Sequence, residues 1–268
     1  SRGLGDVYKR QGIWEGGAGA IYAENQVIDW MKSYLSWPKE AIGTFVSGGT
    51  HGNLSALACA RDHAKSKWIK EGLYKNGRPK DGFKLIISKD THSSVKTIAK
   101  VLDVDILIAD TDENGRMTGS SIKDLIKENE GIFAVVATTG TTNTGVIDDL
   151  KSISKVCKKE DIWLHIDGAY GGAGLIAPSV RHLYEGIEDA DSFIVDPHKW
   201  LFAPYDCCML IYKSPQNVYS TFSQHAEYLD GVDHSETNPS DMAIHLSRRT
   251  RGLPLWYSLV TYGSDKYS

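Results

Sequence analysis

Two short apolar runs that each end in polar residues decide the fold. Ile162-Trp163-Leu164-His165-Ile166 is followed by Asp167-Gly168-Ala169-Tyr170, and Ser192-Phe193-Ile194-Val195 is followed by Asp196-Pro197-His198-Lys199. Short apolar runs separated by helical patterns are typical of buried parallel strands. In open α/β sheets, ligands bind at the carboxyl ends of such strands. The two runs therefore predict an α/β domain with Asp167 and Lys199 at a binding edge.

The rest of the chain repeats this alternation of helices and strands. Helices are predicted over 20–36, 53–70, 93–101, 121–129 and 149–159, and further strands over 84–88, 105–109, 132–137 and 208–212. Strands that alternate with helices form βαβ units. We therefore expect a mainly parallel sheet flanked by helices.

An aspartate and a lysine at neighbouring strand ends fit the chemistry of a pyridoxal-phosphate enzyme. Such an enzyme needs a lysine whose amine forms a Schiff base with the cofactor aldehyde, and a carboxylate that keeps the pyridine nitrogen protonated. Lys199 and Asp167 are the candidates. Taken singly, a lysine is usually a solvated surface residue, and an aspartate after a strand is usually a turn or helix cap. The joint pattern favours the cofactor site.

The stretch from Trp163 to Tyr212 resembles the group II pyridoxal-dependent amino acid decarboxylases, through the two motifs above and the Trp200-Leu201 that follows the lysine. That family includes the aromatic-L-amino-acid, histidine and glutamate decarboxylases. The resemblance continues from about Trp14 to the end of the chain. It implies a fold type I PLP-dependent transferase-like large domain that decarboxylates an L-amino acid to the amine and carbon dioxide.

A glycine-rich segment offers a cradle for the cofactor phosphate. Ser47-Gly48-Gly49-Thr50-His51-Gly52-Asn53 precedes a predicted helix, whose free N–H groups and positive dipole end attract an anion. An ordinary glycine-rich turn would have the same composition. The family resemblance implies that Gly49 and Thr50 contact the phosphate.

The resemblance assigns four more cofactor contacts. His92 is expected to stack on the cofactor ring near the substrate carboxylate, and Thr138 to lie near the phenolic oxygen. Ala169 would pack beneath the ring, and His198 beside the phosphate. From the residues alone, His92 would be a helix cap, Thr138 part of a turn and Ala169 simple core packing.

Asp196 departs from the family pattern, because some relatives carry asparagine at this position. A carboxylate close to a phosphate repels it unless the carboxylate turns away or is paired. Asp196 is therefore not counted among the phosphate contacts.

The stretch 219–245 is polar and shows little periodicity, so it is predicted to be a long loop of the kind that often covers an active site. Within it, Tyr228 matches the tyrosine that decarboxylases of this family use to protonate the substrate carbon after carbon dioxide leaves. Related aldehyde synthases carry phenylalanine there. The resemblance therefore implies a catalytic set of Lys199, His92, Tyr228 and Asp167.

Composition agrees with a globular enzyme. The chain has 268 residues, 41% hydrophobic and 24% charged, and a formal net charge of −4 gives no reason to expect nucleic acid or membrane partners. No apolar stretch approaches bilayer-spanning length, and no secretory signal is recognised. The four cysteines form no CxxC pair, so neither a metal site nor a disulfide framework is indicated. A cytoplasmic location is the default expectation.

The domain organisation is predicted from the extent of the resemblance. Residues 1–11 match nothing in the family and are interpreted as flanking sequence, and residues 12–268 as the PLP-binding large domain. The family's N-terminal segment and C-terminal small domain are expected to be absent. Active sites of the family lie at a dimer interface, so the complete protein is expected to be a homodimer.

Substrate and reaction remain partly open at this point. Aromatic amino acids are favoured from overall similarity, while glutamate or another amino acid is an alternative. An aldehyde synthase or an aminotransferase-like enzyme would use the same cofactor. A catalytically inactive fragment that only binds the cofactor or dimerises is the alternative from a different class.

Overall fold

The computed structural model describes residues 14–223 and 238–268, so the predicted flanking segment 1–11 lies outside the described residues. In the described part, the strands are β1 (Ile42–Val46), β2 (Phe83–Ser88), β3 (Val104–Ala109), β4 (Ile132–Thr138), β5 (Trp163–Asp167), β6 (Ser192–Val195) and β7 (Cys208–Tyr212). The α-helices are α1 (Trp14–Tyr34), α2 (Gly49–Glu71), α3 (Ser93–Leu102), α4 (Gly119–Glu128), α5 (Leu150–Glu160), α6 (Pro215–Phe222) and α7 (Leu253–Tyr262). Short 3₁₀ helices, such as Gly171–Ile176, fill several of the connections.

The strands form one sheet in the order β1-β7-β6-β5-β4-β2-β3. Strands β2 to β6 pair in parallel, β7 pairs antiparallel with β6, and β1 pairs antiparallel with β7. Because β7 runs opposite to β6 and β1 runs opposite to β7, β1 has the same direction as strands β2 to β6. The carboxyl ends of β1, β2, β4, β5 and β6 therefore meet at one edge, and the predicted mainly parallel sheet is confirmed.

Helices cover both faces of the sheet, which accounts for the near-continuous apolar strands. All seven residues of β4 are buried, and from Ala134 to Ala137 its side chains alternate between two apolar clusters. Phe133 and Val136 join the cluster that contains α2, α3 and α6, whereas Val135 and Ala137 join the cluster that contains α1, α5 and α7. A strand buried on both faces cannot show the polar alternation of a half-exposed strand. None of the helices in the described ranges is long and apolar enough to cross a membrane.

Most predicted elements are present with ends shifted by a few residues. The bounds of β6 and β7 agree with the predicted ranges, and α2 begins at Gly49 rather than at residue 53. The glycines hide this helix start, because Gly48 stands at the N-cap without a side-chain hydrogen bond. Glycine is also a weak helix former, so the sequence favours a turn there.

The prediction of one loop over 219–245 is wrong at its start. Helix α6 continues to Phe222 and begins with Pro215 in its first turn, where proline needs no intrahelical hydrogen bond. Val218 and Phe222 are buried four residues apart, which is the helical period that the short segment was too brief to reveal. Residues 224–237 lie outside the described residues.

Candidate functional site

A cavity of about 550 Å³ opens at the carboxyl edge of the sheet. It is lined by all the predicted cofactor residues, namely Gly49, Thr50, His92, Thr138, Asp167, Ala169, His198 and Lys199. These residues come from separate strand ends that the parallel topology brings together. Tyr228, the remaining predicted catalytic residue, lies outside the described residues. The roles of all nine stay predictions.

The first turn of α2 forms one wall of the cavity. Its leading N–H groups have no intrahelical partners, because the first turn of any helix lacks carbonyls before it. A Cβ at Gly49 would lie 3.2 Å from Asp196 Oδ2 and 3.3 Å from the Ala169 Cβ, so only glycine leaves this space open. Four residues later, Asn53 extends from the same helix toward β5. The turn thus combines an open helix N-terminus with a buried amide.

Asp167 is held rigidly at the end of β5. Its carboxylate is buried, with Oδ2 accepting from Asn53 Nδ2 at 2.9 Å and Oδ1 accepting from the Ala169 N–H at 3.1 Å. Each oxygen therefore has a donor from the protein. Such a carboxylate presents its remaining acceptor capacity to the cavity in one orientation.

Behind Asp167, a buried histidine continues the hydrogen bonding. His165 lies two residues earlier on β5 and so on the same face of the sheet. Its Nε2 is 2.8 Å from Asn53 Oδ1, and its Nδ1 is 2.8 Å from Ser192 Oγ, which also accepts from Trp163 Nε1 at 2.8 Å. Burial lowers the pKa of His165 to about 4, although the nearby charge of Asp167 opposes the shift. The imidazole is therefore neutral at physiological pH.

Lys199 reaches the cavity from the turn that follows β6. Its Nζ lies 2.9 Å from Asp196 Oδ2, and its side chain is 42% exposed. His198 Nδ1 accepts from the Cys207 N–H at 2.9 Å, which leaves Nε2 as the protonated nitrogen of the neutral ring, 3.7 Å from the same Asp196 oxygen. Asp196 Oδ1 is buried and has no hydrogen-bond partner among the described residues. Asp196 is thus paired with the lysine.

His92 and Thr138 lie on the remaining walls. His92 is exposed and caps α3, with Nδ1 accepting from the Ser94 N–H at 3.2 Å, so the cap seen in the sequence and the cavity position occur together. Thr138 ends β4 beside Asp167, and its buried Oγ1 has no partner in the described ranges. Within residues 14–223 and 238–268, both side chains keep a polar atom without a hydrogen bond: Nε2 on His92 and Oγ1 on Thr138.

Comparison with known proteins places this site in a family. Residues 14–268 match the family described as the pyridoxal-dependent decarboxylase conserved domain. The chain belongs to the pyridoxal-dependent decarboxylase family. The predicted resemblance is confirmed, and so is the pyridoxal group as the cofactor of that family.

Two similar sequences are named for different reactions. An aromatic-L-amino-acid decarboxylase of Bacillus atrophaeus is 37% identical over 260 residues, covering 93% of this chain and 52% of the relative. A 4-hydroxyphenylacetaldehyde synthase of Rhodiola rosea is 31% identical over 268 residues, with the same coverage. The chain therefore spans about half the length of these curated relatives.

A solved structure agrees with the fold. The crystal structure of Oryza sativa TDC with PLP and tryptamine superposes with a TM-score of 0.87 at 25% identity, covering 98% of this chain and 57% of that one. The predicted fold class, a fold type I large domain, is confirmed by this similarity and by the mainly parallel sheet.

In this decarboxylase-family chain, several polar residues of the site were not predicted from the sequence. Asn53 and His165 were present in the quoted motifs but had no assigned part. His165 carried a detectable signal, because it is a polar residue in an apolar strand at an even spacing from Asp167. Tyr170 and Tyr205 also line the cavity, and both are exposed aromatic residues at its mouth.

Proposed function

We propose that this chain forms the cofactor-binding part of a pyridoxal-phosphate-dependent decarboxylase that converts an L-amino acid to its amine and carbon dioxide. The observation that carries this proposal is the shared cavity of Lys199 and Asp167, at the carboxyl ends of the neighbouring parallel strands β6 and β5. One residue offers an amine and the other a buried acceptor. This is the pair that the cofactor needs.

Several features of the cavity fit the cofactor. Its volume lies within the range of about 300–1,000 Å³ that is typical of small-molecule sites. The open end of α2 at Gly49 and Thr50 suits a phosphate, because backbone N–H groups and the helix dipole both favour an anion. The unpartnered Oγ1 of Thr138 suits the phenolic oxygen of the cofactor. Ala169 leaves room for a flat ring.

Three residues of the cavity have a part in the proposed reaction. When bound, pyridoxal phosphate supplies the electron sink for the electrons released as the carboxylate leaves. Asp167 would keep a proton on the ring nitrogen, because its two oxygens are already fixed as acceptors by Asn53 and Ala169. Lys199 would hold the aldehyde carbon through its amine, and His92 would present its imidazole to the ring and the substrate carboxylate.

Proton delivery to the substrate carbon decides between two products. The resemblance gives this step to Tyr228, whose hydroxyl would supply the proton that turns the decarboxylated substrate into an amine. The aldehyde synthase relative is the reason to keep a second candidate, in which molecular oxygen oxidises the decarboxylated substrate and water then releases an aldehyde and ammonia, with hydrogen peroxide as the reduced product. Because this chain has tyrosine rather than phenylalanine at residue 228, we favour the amine.

Aromatic amino acids are the proposed substrates, since relatives named for aromatic-L-amino-acid, tryptophan and tyrosine decarboxylation cover 93–94% of this chain. We also propose that the complete protein is a homodimer. The segment after Lys199 supports this, because Phe202 and Tyr205 are 80% and 82% exposed and Trp200 stacks on Tyr170, which lines the cavity. Exposed aromatic clusters are typical of protein interfaces. A cytoplasmic location is proposed on the buried, unpaired cysteines.

The first experiment tests the cofactor chemistry without a substrate. The purified chain is mixed with pyridoxal phosphate and its visible absorbance is compared with that of Lys199→Ala. Lys127→Ala, an exposed lysine on α4, is the matched control. We expect an absorbance band that Lys199→Ala abolishes and Lys127→Ala keeps.

Two results would count against the proposal. One is a band that survives in Lys199→Ala. The other is a chain that circular dichroism shows to be folded but that gives no band at saturating cofactor. A positive result would be followed by product analysis, in which amine from aromatic amino acids supports the decarboxylase and aldehyde supports the second candidate.

A further inference from the structure

A continuous hydrogen-bond chain runs from Asp167 into the core of the domain. Asn53 Nδ2 lies 2.9 Å from Asp167 Oδ2, and Asn53 Oδ1 lies 2.8 Å from His165 Nε2. His165 Nδ1 lies 2.8 Å from Ser192 Oγ, and Ser192 Oγ lies 2.8 Å from Trp163 Nε1. The five side chains come from α2, β5 and β6. We call this chain of five side chains the relay.

The relay has only one consistent direction when Asp167 is ionised. A carboxylate accepts but does not donate, so Asn53 must turn its NH₂ group toward Asp167 and its oxygen toward His165. His165 Nε2 must then carry the proton, which leaves Nδ1 bare. Ser192 donates its hydroxyl hydrogen to that nitrogen and accepts from Trp163, whose indole N–H can only donate.

The opposite direction leaves one group unsatisfied. If Asp167 were protonated and donated to the Asn53 oxygen, the amide NH₂ would face His165 and the imidazole proton would move to Nδ1. Ser192 would then accept from both His165 and Trp163. Its own hydroxyl hydrogen would have no acceptor among the hydrogen bonds that Ser192 makes in the described ranges. A buried donor without an acceptor is costly.

We propose that Asn53 and His165 are positioning residues that keep Asp167 as an ionised acceptor facing the ring nitrogen of the cofactor, through the fixed direction of the relay. This inference rests on the proposed function, because it concerns the same ring nitrogen. Neither residue touches the reacting atoms. They act on the cofactor only through Asp167.

Two further observations support a fixed relay. His165, Asn53 and Ser192 are each 0–1% exposed, so water cannot replace a missing partner. Burial also lowers the pKa of His165 to about 4, which removes the doubly protonated imidazole as a third arrangement. An imidazolium would donate from both nitrogens and would force Ser192 to accept from two sides.

The test compares two ligands that differ only at the ring nitrogen. One is pyridoxal phosphate, and the other is its 1-deaza analogue, in which carbon replaces that nitrogen. Dissociation constants are measured by absorbance or fluorescence for the parent chain, His165→Leu and His165→Gln. Leucine removes the donor to Asn53, whereas glutamine keeps an N–H near the position of Nε2.

We expect His165→Leu to weaken pyridoxal phosphate binding about tenfold, the size seen when a residue that orients a ligand's direct partner is lost. Binding of the deaza analogue should change less than about twofold, because that ligand offers Asp167 nothing to recognise. His165→Gln should recover most of the affinity for pyridoxal phosphate. Equal weakening of both ligands would overturn the inference, since a merely structural residue would affect both.

A second measurement does not depend on any variant folding. Nitrogen NMR of the parent chain with labelled histidine reports which ring nitrogen of His165 carries the proton. We expect the Nε2-protonated form, and the Nδ1-protonated form would overturn the inference. If the parent chain binds no pyridoxal phosphate at all, the proposed function fails. If it binds with the Lys199-dependent band but responds equally to both ligands, only the relay fails.

Discussion

Asp167 and Asp196 come from the ends of the neighbouring strands β5 and β6 and line the same cavity, and they are almost equally buried, at 4% and 2% exposure. Both oxygens of Asp167 accept from donors of the protein. Asp196 has one oxygen against Lys199 and a second without a partner among the described residues. Burial is therefore not what distinguishes them. The fold alone completes the hydrogen bonding around Asp167, and it leaves the Asp196 side to be completed by groups that move or bind.

The largest expected effect comes from Asp167→Asn, which breaks the complete hydrogen bonding around the Asp167 carboxylate. An amide cannot accept on both ends, so its NH₂ would face either Asn53 Nδ2 or the Ala169 N–H, and both of these are donors. We expect amine formation by the cofactor-loaded protein to fall about a thousandfold, as for loss of a preorganised electrostatic group. Steady-state amine release measures this. A loss below tenfold would show that Asp167 does not hold the ring nitrogen.

A second prediction concerns the unfolding free energy and tests His165, which lies behind Asp167. His165 has its pKa lowered to about 4 by burial, compared with about 6.5 in the unfolded chain. Its contribution to stability is therefore complete above pH 6.5 and is lost as the pH falls toward 4. Between pH 7 and pH 5 the parent should lose about 2 kcal/mol more unfolding free energy than His165→Gln, which does not titrate.

Urea unfolding at the two pH values checks this difference. Burial raises the pKa of Asp148 and Asp191 to about 6. As the pH falls from 7 to 5, these two carboxyls therefore increase the unfolding free energy, whereas His165 decreases it. Both proteins contain these carboxyls, and their contribution cancels in the comparison. Identical pH dependence in the two proteins would mean that His165 is charged or solvated in the fold.

The smallest expected effect comes from Asp196→Asn, at the carboxylate whose hydrogen bonding is incomplete in the described residues. The amide oxygen still accepts from Lys199, and its NH₂ can take the place of the unpartnered Oδ1. Removing a negative charge near the open end of α2 should tighten pyridoxal phosphate binding about tenfold. Pyridoxal without phosphate is the control ligand, and its affinity should stay within about twofold. An equal gain for both ligands would show that Asp196 acts through Lys199 instead.

Local patterns predicted the scaffold well and its long-range partners poorly. β6 and β7 were found because Ser192–Val195 and Cys208–Tyr212 are compact apolar runs. β1 was missed because Gly43 and Thr44 interrupt its apolar pattern, and its pairing with β7 is set by a strand far along the chain. A Cβ at Gly43 would lie 2.6 Å from the Leu210 carbonyl oxygen, so glycine serves the pairing rather than a turn.

The residues of the site also divide into those that the local sequence predicts and those that depend on long-range contacts. Lys199 and Asp167 could be predicted because each lies at or just after the end of its own apolar run. The contacts of His165 with Asn53 span 112 residues, and no local pattern shows which helix will cover that face of the sheet. Tertiary packing supplies that information, since α2 must bury its apolar face before Asn53 can meet β5.

The first turn of α2 also fixes a dimension of the molecule. Gly49 stands at the helix end proposed for the phosphate, and Asn53 contacts Asp167, four residues further along one helix. At about 1.5 Å per residue, the backbone separates these two points by about 6 Å along the axis. That spacing depends on helix pitch and not on a loop. Inserting one residue between them would turn Asn53 about 100° around the axis, away from Asp167.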